Sequence, residues 1–327
     1  MKKTPSRRRS ADDRGFRLGT GFFALLVVLL VAGIFFELSR TSALSLSKFG
    51  WRFWTGTTWD PVSGEFGALP FIWGTLYSSV LAMLISTPIA LGIAIFLSEL
   101  SPRALRTPLA FLTELLAAIP SIVYGLWGIF VLVPIVRKLE TITPDWLKGL
   151  PLFKGPPLGV GMLSAALILA VMVIPFTSSV AREVLKAVPS TQREAAYALG
   201  ATRWEAIQAA LRYGRTGIAG AIMLGFGRAI GETMAVTMVI GNNPQVTWSL
   251  FAPQYTMAAV IANEFTEAAD DLYLAALIEI GLVLFVITVV INALSRLLIW
   301  TVSREVKPKA DAAQPPALPP AGSEAAA

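Results

Sequence analysis

Arg228 and Glu232 are the residues whose types and spacing point to chemistry. Both lie in the stretch Gly217 to Ala235, which is otherwise uncharged and mostly apolar or small. In a helix, residues four apart share one face. An arginine at the centre of a bilayer costs about 2.5–3.5 kcal/mol on insertion scales, so its retention needs a reason. Two reasons are open. One is a structural ion pair that holds helices in register. The other is a transport path, because a planar guanidinium bonds two oxygens of an oxyanion and stays charged at physiological pH. On the second reading Arg228 offers a passing anion a transient cationic step, Glu232 tempers the attraction, and Thr233 lies on the same path.

Composition removes most other chemistry. The chain has no histidine and no cysteine. Disulfides, thiolate nucleophiles, the usual zinc sites and histidine acid/base catalysis are therefore excluded. No catalytic residue and no metal set is assigned. A phosphate-cradling nucleotide loop needs Gly-Lys followed by Ser or Thr. No Gly-Lys pair occurs anywhere in the chain, so a nucleotide site would sit on another polypeptide. Gly225, Gly227 and Gly231 do not form a dinucleotide fingerprint, since no strand precedes them. Small residues recurring every four positions, as at Gly217, Ala221 and Gly225, instead let membrane helices approach closely.

The elements that must position Arg228 are membrane helices. Of 327 residues, 55% are hydrophobic and 15% charged, against roughly 25% charged in soluble domains. Apolar runs cover about 18–36, 71–97, 109–136, 159–180, 215–240 and 272–299. A span needs about 20 mostly apolar residues. The expected fold is all-α, a polytopic bundle of six transmembrane helices over residues 18–300. Residues 1–17 form a basic N-terminus and 301–327, rich in Pro and Ala, a disordered cytoplasmic tail. The first run is long for a signal peptide and reads as a retained helix. Trp51, Phe53, Trp54 and Trp59 in the first outer loop suit the headgroup level.

Six spans place both termini on one side. Nineteen of the twenty-seven Lys and Arg fall on that side and seven on the other, with Arg228 left inside a span. By the positive-inside rule both termini are cytoplasmic. The net charge of +6 thus belongs to orientation against membrane lipid, and no nucleic acid is expected.

Residues 189–213 are the most informative soluble stretch. Thr191 with Glu194, and Thr202 with Glu205, have capping-box spacing. Gly200 between them suits a helix-ending left-handed turn. Two helices of about 9 to 11 residues follow, each too short to be stable alone. Trp204, Ile207 and Leu211 form one apolar stripe on the second. Such a stripe either packs against its own membrane domain or docks on a partner.

Glu194-Ala195-Ala196, then Gly200 after three residues, resembles the EAA motif of ABC importer permeases. The resemblance implies the type I permease fold and makes Glu194, Ala195, Ala196, Gly200, Thr202, Trp204 and Glu205 part of an ATPase-coupling segment. That family usually carries Leu-Pro near the motif's end, where this chain has Leu211-Arg212-Tyr213. Gly225 to Ala235 is similar to the signature of phosphate-specific ABC permeases. Trp59-Asp60-Pro61 through Pro70 looks like the stretch before the second span of the PstC-type permeases. Ile119-Pro120-Ser121 is also typical, with Pro120, Ser121 and Gly125 as a gate or kink. The resemblance covers roughly residues 59 to 300. It implies phosphate import across a bacterial cytoplasmic membrane, with a homologous permease PstA, a dimer of the ATPase PstB and a periplasmic phosphate-binding protein PstS. No cofactor is bound by this chain; ATP and Mg belong to the ATPase. Alternatives are an ABC permease for sulfate or molybdate, or a secondary transporter, which usually shows paired broken helices in repeated halves. A membrane enzyme would have to work with acids, Ser or Lys alone.

Overall fold

The computed structural model describes residues 9–304. The expected disordered tail therefore falls almost wholly outside the described residues. The first helix, α1, runs over Arg9–Thr41 and is followed by the short helices α2 (Ala43–Phe49) and α3 (Arg52–Thr55). A two-stranded antiparallel hairpin comes next, β1 (Trp59–Asp60) and β2 (Glu65–Phe66), with Trp59 opposite Phe66. Helix α4 (Leu69–Ile95) ends in a π-helical turn at Phe96–Leu100. The next stretch is divided into α5 (Arg103–Ala117), α6 (Ser121–Trp127), a second π turn at Gly128–Leu132, and α7 (Val133–Ile142). The short α8 (Asp145–Lys148) leads to α9 (Met162–Lys186), then α10 (Ser190–Ala198) and α11 (Arg203–Ile230). The short helices α12 (Met234–Thr237) and α13 (Met257–Glu264) precede α14 (Asp271–Arg304).

Among the described residues, five helical stretches are long and apolar enough to cross a membrane: Gly15–Thr41, Leu69–Leu100, Ser121–Ile142, Met162–Lys186 and Asp271–Thr301. The chain is a mostly helical membrane bundle. Its axis is α9, whose fully buried Met162, Ile168, Leu169 and Met172 pack among residues of α4, α6 and the segment around α12. Helix α1 is the exception: its apolar residues from Leu18 to Phe36 are exposed. It meets the rest of the chain mainly along α14, where Phe35 and Phe285 lie 5.8 Å apart.

Three expectations need correction. The run over 215–240 does not continue as one helix, because α11 stops at Ile230 and residues 231–233 leave the helical path. The run over 109–136 is cut by Pro120, so its first part belongs to amphipathic α5 and its helix extends to Ile142. A proline removes an N–H and clashes with the preceding turn, which explains the break. The third concerns residues 189–213. The first predicted capping box is absent: α10 starts at Ser190 after Pro189, with no side-chain cap. The second short helix is the first third of the 28-residue α11.

The loop over residues 238–256 is more ordered than its composition suggests. Backbone carbonyls of Val239, Leu250 and Ala252 accept from Gly161, Leu163 and Met162 at 3.0, 2.7 and 3.2 Å. The loop thereby satisfies the otherwise orphaned N–H groups at the start of α9. Gly74 on α4 lets the same loop approach, since a Cβ there would stand 2.1 Å from the Tyr255 carbonyl oxygen.

Candidate functional site

Arg228 lies two residues before the end of α11 and is half-buried. Its guanidinium carbon stands 5.4 Å from the ring centre of Phe176 on α9. Tyr124 on α6 lies within electrostatic reach of it. The Nε atom of Arg228 is buried without a hydrogen-bond partner. A cation held against an aromatic face with unspent donor capacity suits a transient anion contact.

Glu232 does not sit on the same helical face as Arg228. The helix ends at Ile230, and the four-residue spacing loses its meaning at Gly231. Among the described residues the two form no ion pair within 4 Å. Glu232 Oε1 instead accepts from the Ala235 N–H at 3.2 Å, in the first turn of α12. A carboxylate is well placed at a helix start. The Thr233 hydroxyl donates to the Gly231 carbonyl at 3.5 Å, within the same break.

The break at Pro120 and the break at Gly231 are neighbours in space. A Cβ on Gly125 would stand 2.6 Å from Met238 Sδ and 3.2 Å from Ala235 Cα. Gly125 therefore serves less as a kink than as a point of close crossing between α6 and α12. The Tyr124 hydroxyl donates to the Leu116 carbonyl at 2.8 Å, bridging the interruption beside Pro120 and Ser121. Two interrupted helices thus meet beside Arg228. Irregular backbone at membrane depth is tolerated only where protein or a cavity covers it, and buried Ala235, Val236 and Val239 meet that condition.

The segment 189–213 stands apart from this cluster, at the other end of α11. Gly200 has φ of +80° and turns the chain from α10 into α11. Thr202 caps α11 in a full capping box. Glu205 Oε2 accepts from the Thr202 N–H at 2.7 Å and from its hydroxyl at 2.8 Å. These bonds, the backbone one first, hold the Glu205 carboxyl below its ordinary pKa. The apolar stripe is divided. Ile207 is buried and Leu211 packs locally, whereas Trp204 is 55% exposed and neighbouring Leu199 90% exposed. Glu194, Ala195 and Gly200 are also exposed, and Ala196 is half-buried.

Several charged residues with no assigned role in the sequence prove structurally prominent. Arg182, 6% exposed, bonds Glu114 and Glu183 at 2.8 Å each and ties α9 to α5. The buried Glu140 accepts from the Gly159 N–H at 2.7 Å. Glu279 on α14 is fully buried and faces the likewise buried Ser45 hydroxyl. Arg228 with Glu232 is therefore not the sole charged feature embedded in the bundle. Glu99 at the end of α4 and Arg193 on α10 bond each other across 94 positions of sequence. No local pattern reveals such pairs; a chain-crossing pair leaves a trace only as correlated substitution between sites. Among the described residues no group of His, Cys, Asp or Glu is arranged to hold a metal ion.

Residues 86–304 match the family described as binding-protein-dependent transport system inner membrane component. The fold resembles that of the MetNI methionine ABC transporter in inward-facing crystal forms. TM-scores are 0.53 and 0.55 at 16% and 15% identity, covering 71% of this chain and 94% of that one. The chain is an ABC-importer type of permease by fold and family. It is 47% identical to the phosphate transport system permease protein PstC of Mesorhizobium japonicum, over 90% of this chain and 92% of that protein. It is 48% identical to the PstC proteins of Pasteurella multocida and Haemophilus influenzae, over 89% and 87% of this chain and 92% of each relative. The chain belongs to the PstC family of permeases.

Proposed function

We propose that the chain forms one half of a phosphate-conducting path across a bacterial cytoplasmic membrane, driven by a separate ATPase. Near-full-length identity of 47–48% to PstC permeases carries the substrate. Arg228, with its buried and unpartnered Nε, carries the site. Phosphate meets Arg228 briefly between the interrupted helices, and Thr233 lies on the same route. Glu232 keeps a negative charge near the path and prevents the anion from resting there. Pro120, Ser121 and Gly125 frame the gate, because α6 crosses α12 next to the arginine.

The sixth crossing is α11 together with its break. From Arg215 to Ile230 the helix spans about 24 Å, short of the roughly 30 Å hydrocarbon core. The irregular residues after Gly231 and the short α12 complete it. Both termini then lie in the cytoplasm, as the Lys and Arg distribution requires. The exposed Leu199 and Trp204, with Glu194, Ala195, Ala196, Gly200, Thr202 and Glu205, face a groove on the ATPase. A homologous permease of the PstA type completes the channel, two PstB-type ATPases supply ATP and Mg, and a PstS-type protein delivers phosphate. Nucleotide closure rocks the paired bundles between inward- and outward-facing forms.

The test is reconstitution with those three partners and comparison of ATP-dependent uptake of phosphate, sulfate and molybdate. Preferential phosphate uptake is expected. Equal uptake of all three would move selectivity wholly out of this assembly's phosphate class.

A further inference from the structure

We infer that Glu99 and Arg193 form a positioning node that locks the coupling segment to the ends of α4 and α9. The two side chains are 12% and 22% exposed. Arg193 Nε donates to both Glu99 carboxylate oxygens, at 3.2 and 3.1 Å, and one Nη adds a third, shorter bond. The Nη that bonds Glu99 also donates to the Leu185 carbonyl, and the other Nη donates to the Val188 carbonyl, each at 3.0 Å, at and just past the end of α9. Arg203, the first residue of α11, donates to the Glu99 backbone carbonyl at 2.9 Å. One carboxylate and two arginines thus join four elements: α4, α9, α10 and α11.

Two features make this arrangement specific. The fork of an arginine fixes direction as well as distance, which a lysine could not do. Glu99 also sits in the π-helical turn Phe96–Leu100, closed by the Ser101 N–H to the Phe96 carbonyl at 2.7 Å. A π turn widens the helix and is found often at functional positions. Force applied to α10 is therefore delivered to α4 and α9 as well as to α11, and these helix ends move with the coupling segment as one body. This rests on the reading of residues 189–213 as the ATPase-coupling segment.

The experiment uses the whole reconstituted complex and reads three quantities: ATPase co-purification, ATP hydrolysis and phosphate imported per ATP. Glu99→Gln should retain the ATPase and its hydrolysis, while phosphate per ATP falls about tenfold, within the scale of coupling changes at such positions. Glu99→Asp, which keeps the charge, should recover part of the ratio. A Glu99→Gln complex with the wild-type ratio overturns the node. A wild-type chain that binds no ATPase overturns the coupling segment itself, and the node with it. A second measurement is independent of Glu99 variants. The chain has no cysteine, so spin labels can be placed at Leu100→Cys and Thr191→Cys. Their separation should be the same in nucleotide-free and ATP-trapped complexes. A separation that changes with nucleotide shows that α10 moves away from α4 and overturns the rigid node.

Discussion

Thr202 caps the same unbroken helix that carries Arg228. The 25 positions from Arg203 to Arg228 correspond to about 38 Å of α-helix, and α11 has no proline or π turn along that length. A displacement at the capped end is thus carried along a continuous rod to the arginine. The helix then stops at once, so Arg228 sits at the tip of the rod beside the crossing of α6 and α12.

The capped end makes a pH-dependent prediction. Thr202→Ala removes the capping hydroxyl and should cost about 1 kcal/mol. Glu205 has a pKa held below the ordinary glutamate value by the Thr202 N–H and hydroxyl. Its contribution is present above that ordinary value and is lost as pH falls through it toward the folded pKa. Thermal unfolding in detergent at pH near 7 and near 4 should show wild type losing more stability than Glu205→Gln. Equal losses would mean that the carboxylate does not hold the cap.

Two glycines of the same helix should respond in opposite ways. A Cβ at Gly225 would stand 2.3 Å from Thr177 Oγ1 and 3.1 Å from Val173 Cγ1, whereas one at Gly227 meets nothing within 4 Å. Gly225→Ala should destabilise by about 1–3 kcal/mol through overpacking. Gly227→Ala should be neutral or stabilise by up to about 1 kcal/mol through helix propensity. Adding Thr177→Ala to Gly225→Ala should recover most of the loss, because the two changes share one contact. Thermal midpoints of the wild type and the three purified variants check this.

Much of this arrangement was legible in the sequence, and the parts that were not share a physical cause. The apolar runs announced membrane helices, Gly200 announced its left-handed turn, and Thr202 with Glu205 announced a true capping box. Thr191 with Glu194 had the same spacing but no cap formed, because Pro189 fixes the chain so that the helix already starts at Ser190. Hydrophobicity alone could not show that the run over 215–240 breaks at Gly231, since a buried irregular segment is as apolar as a helix. The Arg228–Glu232 pairing failed for the same reason. Glu99 with Arg193, and Arg182 with Glu114, join distant segments and follow from packing rather than from any local spacing.

The end of the bundle that carries the hairpin can be tested through Glu264. Its Oε2 accepts from Trp59 Nε1 at 2.8 Å and from the Tyr273 hydroxyl at 2.7 Å, tying the hairpin to α13 and α14. Glu264→Ala leaves two half-buried donors unpaired and should cost about 1–3 kcal/mol. Near-UV circular dichroism should weaken, because Trp59 packs edge-on against Phe66 and Phe71 at 4.8 Å. An unchanged spectrum and midpoint would mean that aromatic packing alone holds the hairpin.

The most direct measurement is phosphate uptake by Arg228→Gln in proteoliposomes containing the assembled transporter. Glutamine keeps hydrogen-bonding capacity but removes the charge, so the complex should assemble with its ATPase while uptake falls to background. Uptake at the wild-type rate by the intact Arg228→Gln complex would contradict the account, because the anion would then cross without a cation at the tip of α11.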